Sequence, residues 1–483
     1  RTGMIVTRDL PVEDAYINTS VLDDQAEAMR AISSVTGVRM ETLKKNFSAQ
    51  PKYAAIRQQL TPDMKDAIMH LGLPGITFEP SYKRYYLMGR TVAHVIGQVS
   101  LDGNGVSGLE LGLEKAIRKS DTPVVLSIDM RVQEILEHEI GISAKEFQAK
   151  AAGGIVLDVH TGEVLALASL PDYEPNQRFL LQGDSTVNRM TQDVYELGSI
   201  FKIFAFSEAV EENTVQLDEM IPIAPPFYVA KTKIGDFEKL PPVLSAAMVF
   251  AESSNIGTAK IEARSGSRRQ RAFLKRLGLL DPLKTELPEM ARPLYPRHWE
   301  DVEAATISFG QGINVNPLSF VAAAASIVNG GTRIRPTFFK QSKPQEGERV
   351  VTEETSRKMR ELLRFVVTNG TGRKADVPGY DVGGKTGTAD KSENGSYALN
   401  KRISSFAGIF PYEDPKYLVY VMMDEPHGNK ATGGFATGGV TAAPAVGRVI
   451  KKIGPILGVA RKPVPAPDIS GAVPAGEFVK FSQ

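Results

Sequence analysis

Ser199-Ile200-Phe201-Lys202, followed in order by Ser253-Ser254-Asn255 and Lys385-Thr386-Gly387-Thr388, decides how the rest of the chain is read. A serine and a lysine three residues apart share one face of a helix, where the amine can take the hydroxyl proton. Each motif alone is weak. A chain of this length holds roughly one or two Ser-x-x-Lys matches by composition, and about a quarter of a Lys-[Ser/Thr]-Gly match. Taken singly, Ser199 reads as a helix N-cap and Lys202 as a solvated side chain. Ser392-Glu393-Asn394 also fits Ser-x-Asn, but it follows Lys385 in what reads as a polar loop and breaks the order. The three motifs in sequence, at domain-scale gaps, point to covalent serine chemistry without a histidine.

Composition narrows the alternatives. The chain has 483 residues, 42% of them hydrophobic, and a formal net charge of +1. That length predicts at least two domains, and the near-zero charge gives no electrostatic case for nucleic acid. Without cysteine there are no disulfides or thiolate metal sites, and six scattered histidines form no zinc-binding pattern, so no metal or cofactor is expected. No window approaches 18 apolar residues, and no signal peptide is present. The opening Arg1-Thr2-Gly3-Met4-Ile5-Val6 reads as the interior of a longer protein, which leaves room for a membrane anchor ahead of it.

Periodicity sketches the organisation. Thr61 as N-cap, Pro62 at the first helical position and Gly72 as terminator bracket a helix with Met64, Ala67, Ile68 and Leu71 on one face. A glycine-punctuated aromatic stretch runs from Pro80 to Glu114. The β-branched run Val124 to Asp129 leads into the amphipathic segment Val132 to Ile142, and the domain boundary falls just before it. Residues 1–120 form an N-terminal domain, 121–455 a catalytic domain, and 456–483 a tail, the Pro- and Gly-rich stretch from Gly454 being loosely held. Gly154 to Val159 and Val164 to Leu167 read as strands about a turn, and Val382 to Thr388, Ile403 to Phe410 and Tyr417 to Met423 as three more. Ser199 starts a buried helix over Ile200 to Val210, and Pro317 to Val328 is apolar on nearly all faces, hence central. Strands at both ends with helices between imply an α/β (α+β) fold, its sheet closed by sequence-distant strands.

The motifs carry a coherent chemistry. Lys202 can deprotonate Ser199 if its amine is neutral, which burial and the second cation Lys385 both favour. Ser253 can relay the proton to a leaving amine, and Asn255 can hold a substrate amide. Lys385, Thr386 and Thr388 can bind a carboxylate, Gly387 letting substrate backbone approach. The N–H groups of Ser199 and Thr388 would form an oxyanion hole.

These residues resemble the penicillin-binding proteins, most closely the class B septal peptidoglycan transpeptidases of Gram-negative bacteria. The resemblance spans nearly the whole chain. It includes Arg84-Tyr85-Tyr86, His94-Val95-Ile96-Gly97 and Gly108-Leu109-Glu110, which look like the family's N-terminal pedestal, and Ser127 to Gln133, which matches the entry to its catalytic domain. Asn188-Arg189, Tyr195 to Ser199, Ser308 to Gly312, Asn316-Pro317-Leu318 and Gly383 to Ala389 are further matches. It departs near Ile5, where an Asp-Arg-Asn-Gly run is missing, and around Lys119-Ser120 and Gln177 to Ser185, which look short.

The resemblance implies a serine β-lactamase-like transpeptidase domain, its antiparallel sheet flanked by helices, on an elongated α+β pedestal. It implies acylation of Ser199 by the penultimate D-alanine of a stem pentapeptide, then attack by an amine of a neighbouring strand. β-Lactams would trap the same serine. Lys202, Ser253 and Asn255 would complete the catalytic set, and Lys385, Thr386, Gly387 and Thr388 would bind substrate. Partners would be division-complex membrane proteins, including a septal glycosyltransferase. The protein would be held in the inner membrane by one N-terminal helix, with its catalytic domain in the periplasm. A β-lactamase would leave the N-terminal half unexplained. A D,D-carboxypeptidase, the elongation-specific class B enzyme and a non-catalytic division scaffold or β-lactam sensor remain as alternatives.

Overall fold

The computed structural model describes residues 1–120, 122–177, 183–393 and 396–463. The expectations for Asn394 and for most of the tail lie outside these residues, as does part of each stretch near 120 and 177–185 that looked short.

The catalytic half is organised by five strands. β4 (Ala151–Asp158) and β5 (Val164–Leu170) come early; β6 (Gly383–Glu393), β7 (Ser396–Phe410) and β8 (Tyr417–Asp424) come late. They form one antiparallel sheet in the order β6-β7-β8-β4-β5, closed by pairing of β8 with β4 (Leu418 opposite Leu157). The sequence reads these strands as continuous apolar runs because both faces are covered. On β8, Leu418, Tyr420 and Met422 enter one core while Val419, Val421 and Met423 enter another, as the two-residue period of a strand requires.

Helices fill both sides. α8 (Pro317–Val328), buried at all twelve positions, packs in the larger core with α5 (Lys202–Glu211), the helix that follows Ser199; Phe320 meets Phe204 and Tyr420 there. Against the opposite face lie α4 (Met130–Glu146) and α10 (Ala442–Ile456), joined by Arg448 and Lys452, which both pair with the buried Glu139. α6 (Ala246–Ala251), α7 (Asn255–Ser265) and α9 (Glu353–Asn369) also lie on the helical side.

The N-terminal part is a three-stranded sheet, β2-β1-β3, of β1 (Thr7–Ile17), β2 (Ala54–Arg57) and β3 (Ile76–Tyr86). Helices α1 (Gln25–Thr36), α2 (Met40–Ala49) and α3 (Pro62–Met69) cover it. Thr61 caps α3 through the Met64 N–H, and Gly72 follows with φ of 64°, as the sequence implies. This part has its own small core, between Ala15 and Phe78. Tyr86, Val92, Val95, Ile96, Leu109 and Leu113 instead share the larger catalytic core.

Several local expectations are corrected. Gly198–Phe201 is a 3-10 turn, and the α-helix begins only at Lys202, because Gly198 (φ 60°) turns the chain sharply before the serine. Gly454 to Ile456 close α10, anchored by buried Ile453, rather than opening a loose tail. Ser392 and Glu393 end β6, opposite Tyr397 and Ser396, rather than lying in a loop. Between the motifs lie four short strands at 220–222, 227–229, 232–234 and 243–245, besides the helices expected there.

Candidate active site

Three backbone devices bring the motifs together. Gly198 lets the Ser199 turn approach strand β6: a Cβ there would sit 2.4 Å from the Thr388 carbonyl oxygen. Gly310 (φ 82°) allows the same turn to press from the other side, its carbonyl accepting the Gly198 N–H at 3.2 Å. Ser253, between α6 and α7, has φ of 64°, a left-handed conformation that costs a non-glycine residue about 1–2 kcal/mol. In that conformation both its carbonyl and its hydroxyl reach Lys202. Strain held in place by surrounding structure is characteristic of functional sites.

Ser199, Ser253, Asn255, Thr386 and Thr388 line one cleft of about 580 Å³, with Lys202 and Lys385 buried behind it. Lys202 Nζ lies 3.1 Å from Ser199 Oγ, 2.5 Å from the Ser253 carbonyl, 3.1 Å from Ser253 Oγ and 2.7 Å from Asn255 Oδ1. The carbonyl and the amide oxygen can only accept, so they use two N–H bonds. Asn255 is fixed in this sense because its Nδ2 donates to the Gly235 carbonyl at 3.1 Å. A neutral amine then keeps its lone pair for the Ser199 hydroxyl. Burial, then the positive charge of Lys385, holds the Lys202 amine well below the ordinary lysine value, against the opposing pull of Asp236.

Lys385 donates to Ser253 Oγ at 2.9 Å, so this hydroxyl lies between the two lysines. Its amine, 5.7 Å above the Phe250 ring, is pushed down to about 7 by burial, with Glu252 opposing. On the same strand, Thr386 Oγ1 is 2.7 Å from Thr371 Oγ1, and Thr388 Oγ1 accepts the Gly438 N–H at 3.2 Å. A hydroxyl that already accepts has its own hydrogen free to donate into the cleft.

Gly387 also has a packing reason. A Cβ there would meet Ser405 Oγ at 2.4 Å, the Leu197 carbonyl at 2.8 Å and Ile200 Cγ2 at 3.0 Å. The turn around Ser199 and the neighbouring strand β7 occupy that space.

Sequence reasoning missed Asp236. Its carboxylate accepts from Ser254 Oγ at 2.9 Å and from the Asn255 and Ile256 N–H groups at 2.5 and 3.1 Å, holding the start of α7. No motif marks it, since it lies 18 residues from the serine it holds. Thr371 was missed too, although Asn369-Gly370-Thr371-Gly372 after an amphipathic helix is a turn signal. Among the described residues, no group of three or more His, Cys, Asp or Glu is placed to hold a metal ion.

The chain has known relatives. Residues 152–449 match the model of the penicillin binding protein transpeptidase domain, and residues 1–135 that of the penicillin-binding protein dimerisation domain. The chain belongs to the penicillin-binding protein family. A probable peptidoglycan D,D-transpeptidase FtsI of Caulobacter vibrioides is 40% identical over 479 residues, covering 96% of this chain and 81% of that protein. A probable peptidoglycan D,D-transpeptidase PenA of Neisseria meningitidis is 31% identical over 501 residues, covering 96% and 85%. The crystal structure of penicillin binding protein 3 from Mycobacterium tuberculosis, complexed with ampicillin, superposes with a TM-score of 0.74 at 28% identity, covering 80% and 92%. With a dimerisation domain ahead of its transpeptidase domain, the protein is of class B.

Proposed function

We propose that the protein is a serine D,D-transpeptidase that cross-links peptidoglycan stem peptides during septal wall synthesis, and that Ser199 is its nucleophile. The observation that carries this reading is the placement of Lys202 Nζ, buried and 3.1 Å from Ser199 Oγ, with Ser253 bridging to Lys385. Neutral Lys202 takes the Ser199 proton as Oγ attacks the penultimate D-alanine carbonyl. The N–H groups of Ser199 and Thr388 receive the oxyanion. Ser253 passes a proton to the departing D-alanine amine, whose carboxylate lies against Lys385, Thr386 and Thr388. Asn255 holds a substrate amide. An acceptor amine then resolves the ester, and a β-lactam stalls it.

The N-terminal module, residues 1–120, would serve as a platform for division-complex membrane proteins, including a septal glycosyltransferase; residues 121–455, with the end of α10 at Ile456, would carry catalysis, and the stretch after it would be a tail. The catalytic domain would face the periplasm, anchored by an inner-membrane helix outside these residues. Among the described residues no helix is long and apolar enough to cross a membrane.

Intact-protein mass after incubation with a penicillin tests the central step. One stable adduct on the wild type, absent from Ser199→Ala, is expected. Rapid loss of the adduct with drug turnover would make the protein a β-lactamase instead, and no adduct would remove the assignment.

A further inference from the structure

Four acidic side chains line the cleft: Asp236 holds the start of α7, Asp390 pairs with Arg402, and of the remaining two, Glu238 and Glu252, it is Glu252 that adjoins Ser253. Glu252 precedes Ser253, lines the cleft and is half-buried. Its carboxylate has no hydrogen bond or ion pair with any described residue, although its charge is felt by Lys385. Its position along the cleft is fixed by its neighbours. The Ala251 carbonyl accepts the Thr371 N–H, and Thr371 Oγ1 contacts Thr386 Oγ1. Glu252 therefore lies at the end that receives the terminal carboxylate, which is also the end vacated by the leaving amine. Arg373 and Lys374 line the same end.

Departing D-alanine carries an amine and a carboxylate on one carbon. The acceptor must bring its amine to the position that amine leaves. An entering amine is an ammonium ion near neutral pH, and the charged form of Lys385 repels it. A free carboxylate at this end of the cleft offsets that repulsion.

We propose that Glu252 docks the ammonium group of the acceptor strand, making it a determinant of acceptor specificity; this rests on the transpeptidase reading above. The docked ammonium releases one proton to solvent. Its nitrogen then attacks the Ser199 ester, the new C–N bond forms as the C–Oγ bond breaks, and the second amine proton returns to Ser199 Oγ through Lys202. The products are the cross-linking amide and free Ser199.

Partitioning of a single acyl-enzyme tests this. The protein is supplied with a thioester mimic of the donor peptide, and hydrolysis and aminolysis products are quantified with D-alanine as acceptor. Both products arise from one intermediate, so their ratio is insensitive to any change in acylation. Glu252→Gln should lower the aminolysis-to-hydrolysis ratio about tenfold, the loss of one charge-assisted contact. Glu252→Asp should recover part of it, and hydroxylamine, neutral at the assay pH, should partition alike on all three proteins. An unchanged D-alanine ratio, or an equal loss with hydroxylamine, would overturn ammonium docking while leaving the transpeptidase reading intact. No thioester turnover by the wild type would overturn both.

Discussion

Lys202 and Lys385 are buried against hydroxyl and carbonyl oxygens rather than carboxylates, and this sets the pH at which the site can work. A lysine whose value is lowered is neutral over a wider range, so Lys202 is ready as a base before ordinary lysines lose their protons. Lys385 has the opposite task, since it must be charged to attract a carboxylate. Because it titrates at about 7, the charged fraction falls as pH rises through neutrality. The second-order rate of acylation by a penicillin, which reports the free enzyme, should therefore decline above pH about 7, approaching tenfold per pH unit. Lys385→Arg stays charged at every accessible pH and should be slower but flat between about 7 and 9. Stopped-flow acylation across that range is the measurement; an undiminished decline in the arginine variant would assign it to another group. At this scale the sequence was unusually legible, because three motifs in order singled out Ser199 and Lys202 where the spacing of that pair alone would not. It did not reveal Asp236 or the left-handed Ser253, both of which depend on how distant segments meet.

At the scale of elements, α5 and α7 carry Lys202 and Asn255 on their cleft side and Glu208 and Glu262 in the interior. Both glutamates are buried, and none of their four carboxylate oxygens has a hydrogen-bond partner among the described residues. Burial raises both above the usual carboxyl range. Each also feels a neighbouring acid, Glu212 for Glu208 and Glu208 for Glu262, while Arg276 and Arg269 partly offset the rise at Glu208. The native state thus keeps protons that the unfolded chain releases above pH about 4.3. Where the unfolded state binds fewer protons, stability falls as pH rises. The thermal midpoint of the wild type should drop between pH about 5 and 8, and Glu262→Gln, uncharged throughout, should flatten that slope. An equal slope in the variant would show that the pair does not hold the extra protons. The strands and the apolar helices were readable from periodicity because each buries a continuous face. A lone glutamate inside the helix read as Ile200 to Val210 gives no such signal, nor does the change from 3-10 to α-helix at Lys202.

For the whole molecule, the division of its cores is the feature that sequence reading could not locate. A boundary near residue 120 follows from the change of pattern at Val124. Yet Tyr86, Val92, Val95, Ile96, Leu109 and Leu113 are buried with the catalytic core. Distant contacts hold that segment: the Tyr173 hydroxyl donates to the Ala93 carbonyl, Asn176 brackets the Tyr86 backbone, and Glu289 accepts the Gly108 N–H. None has a local signature. Removing residues 1–120 strips six large apolar side chains from that core, at about 1.5–3 kcal/mol each. The total, about 9–18 kcal/mol, reaches or exceeds the stability of a typical domain. The separable unit is smaller. The Asn18 N–H donates to the Gly75 carbonyl at 2.9 Å, where β1 and β3 pair through Ile17 and Ile76. Excising residues 19–74 would join Asn18 to Gly75, giving a two-residue Asn-Gly connection, the sequence most favoured for a hairpin turn. The small core leaves with the excised segment, apart from Ala15, Ile17, Ile76 and Phe78 on the remaining ribbon. The trimmed protein should fold and be acylated by penicillin within about twofold of the wild-type rate, because no group lining the cleft is touched. The chain lacking residues 1–120 should be insoluble or unfold at a much lower temperature. Equal stability of the two, measured by thermal unfolding beside the acylation rate, would place the boundary near 120 after all.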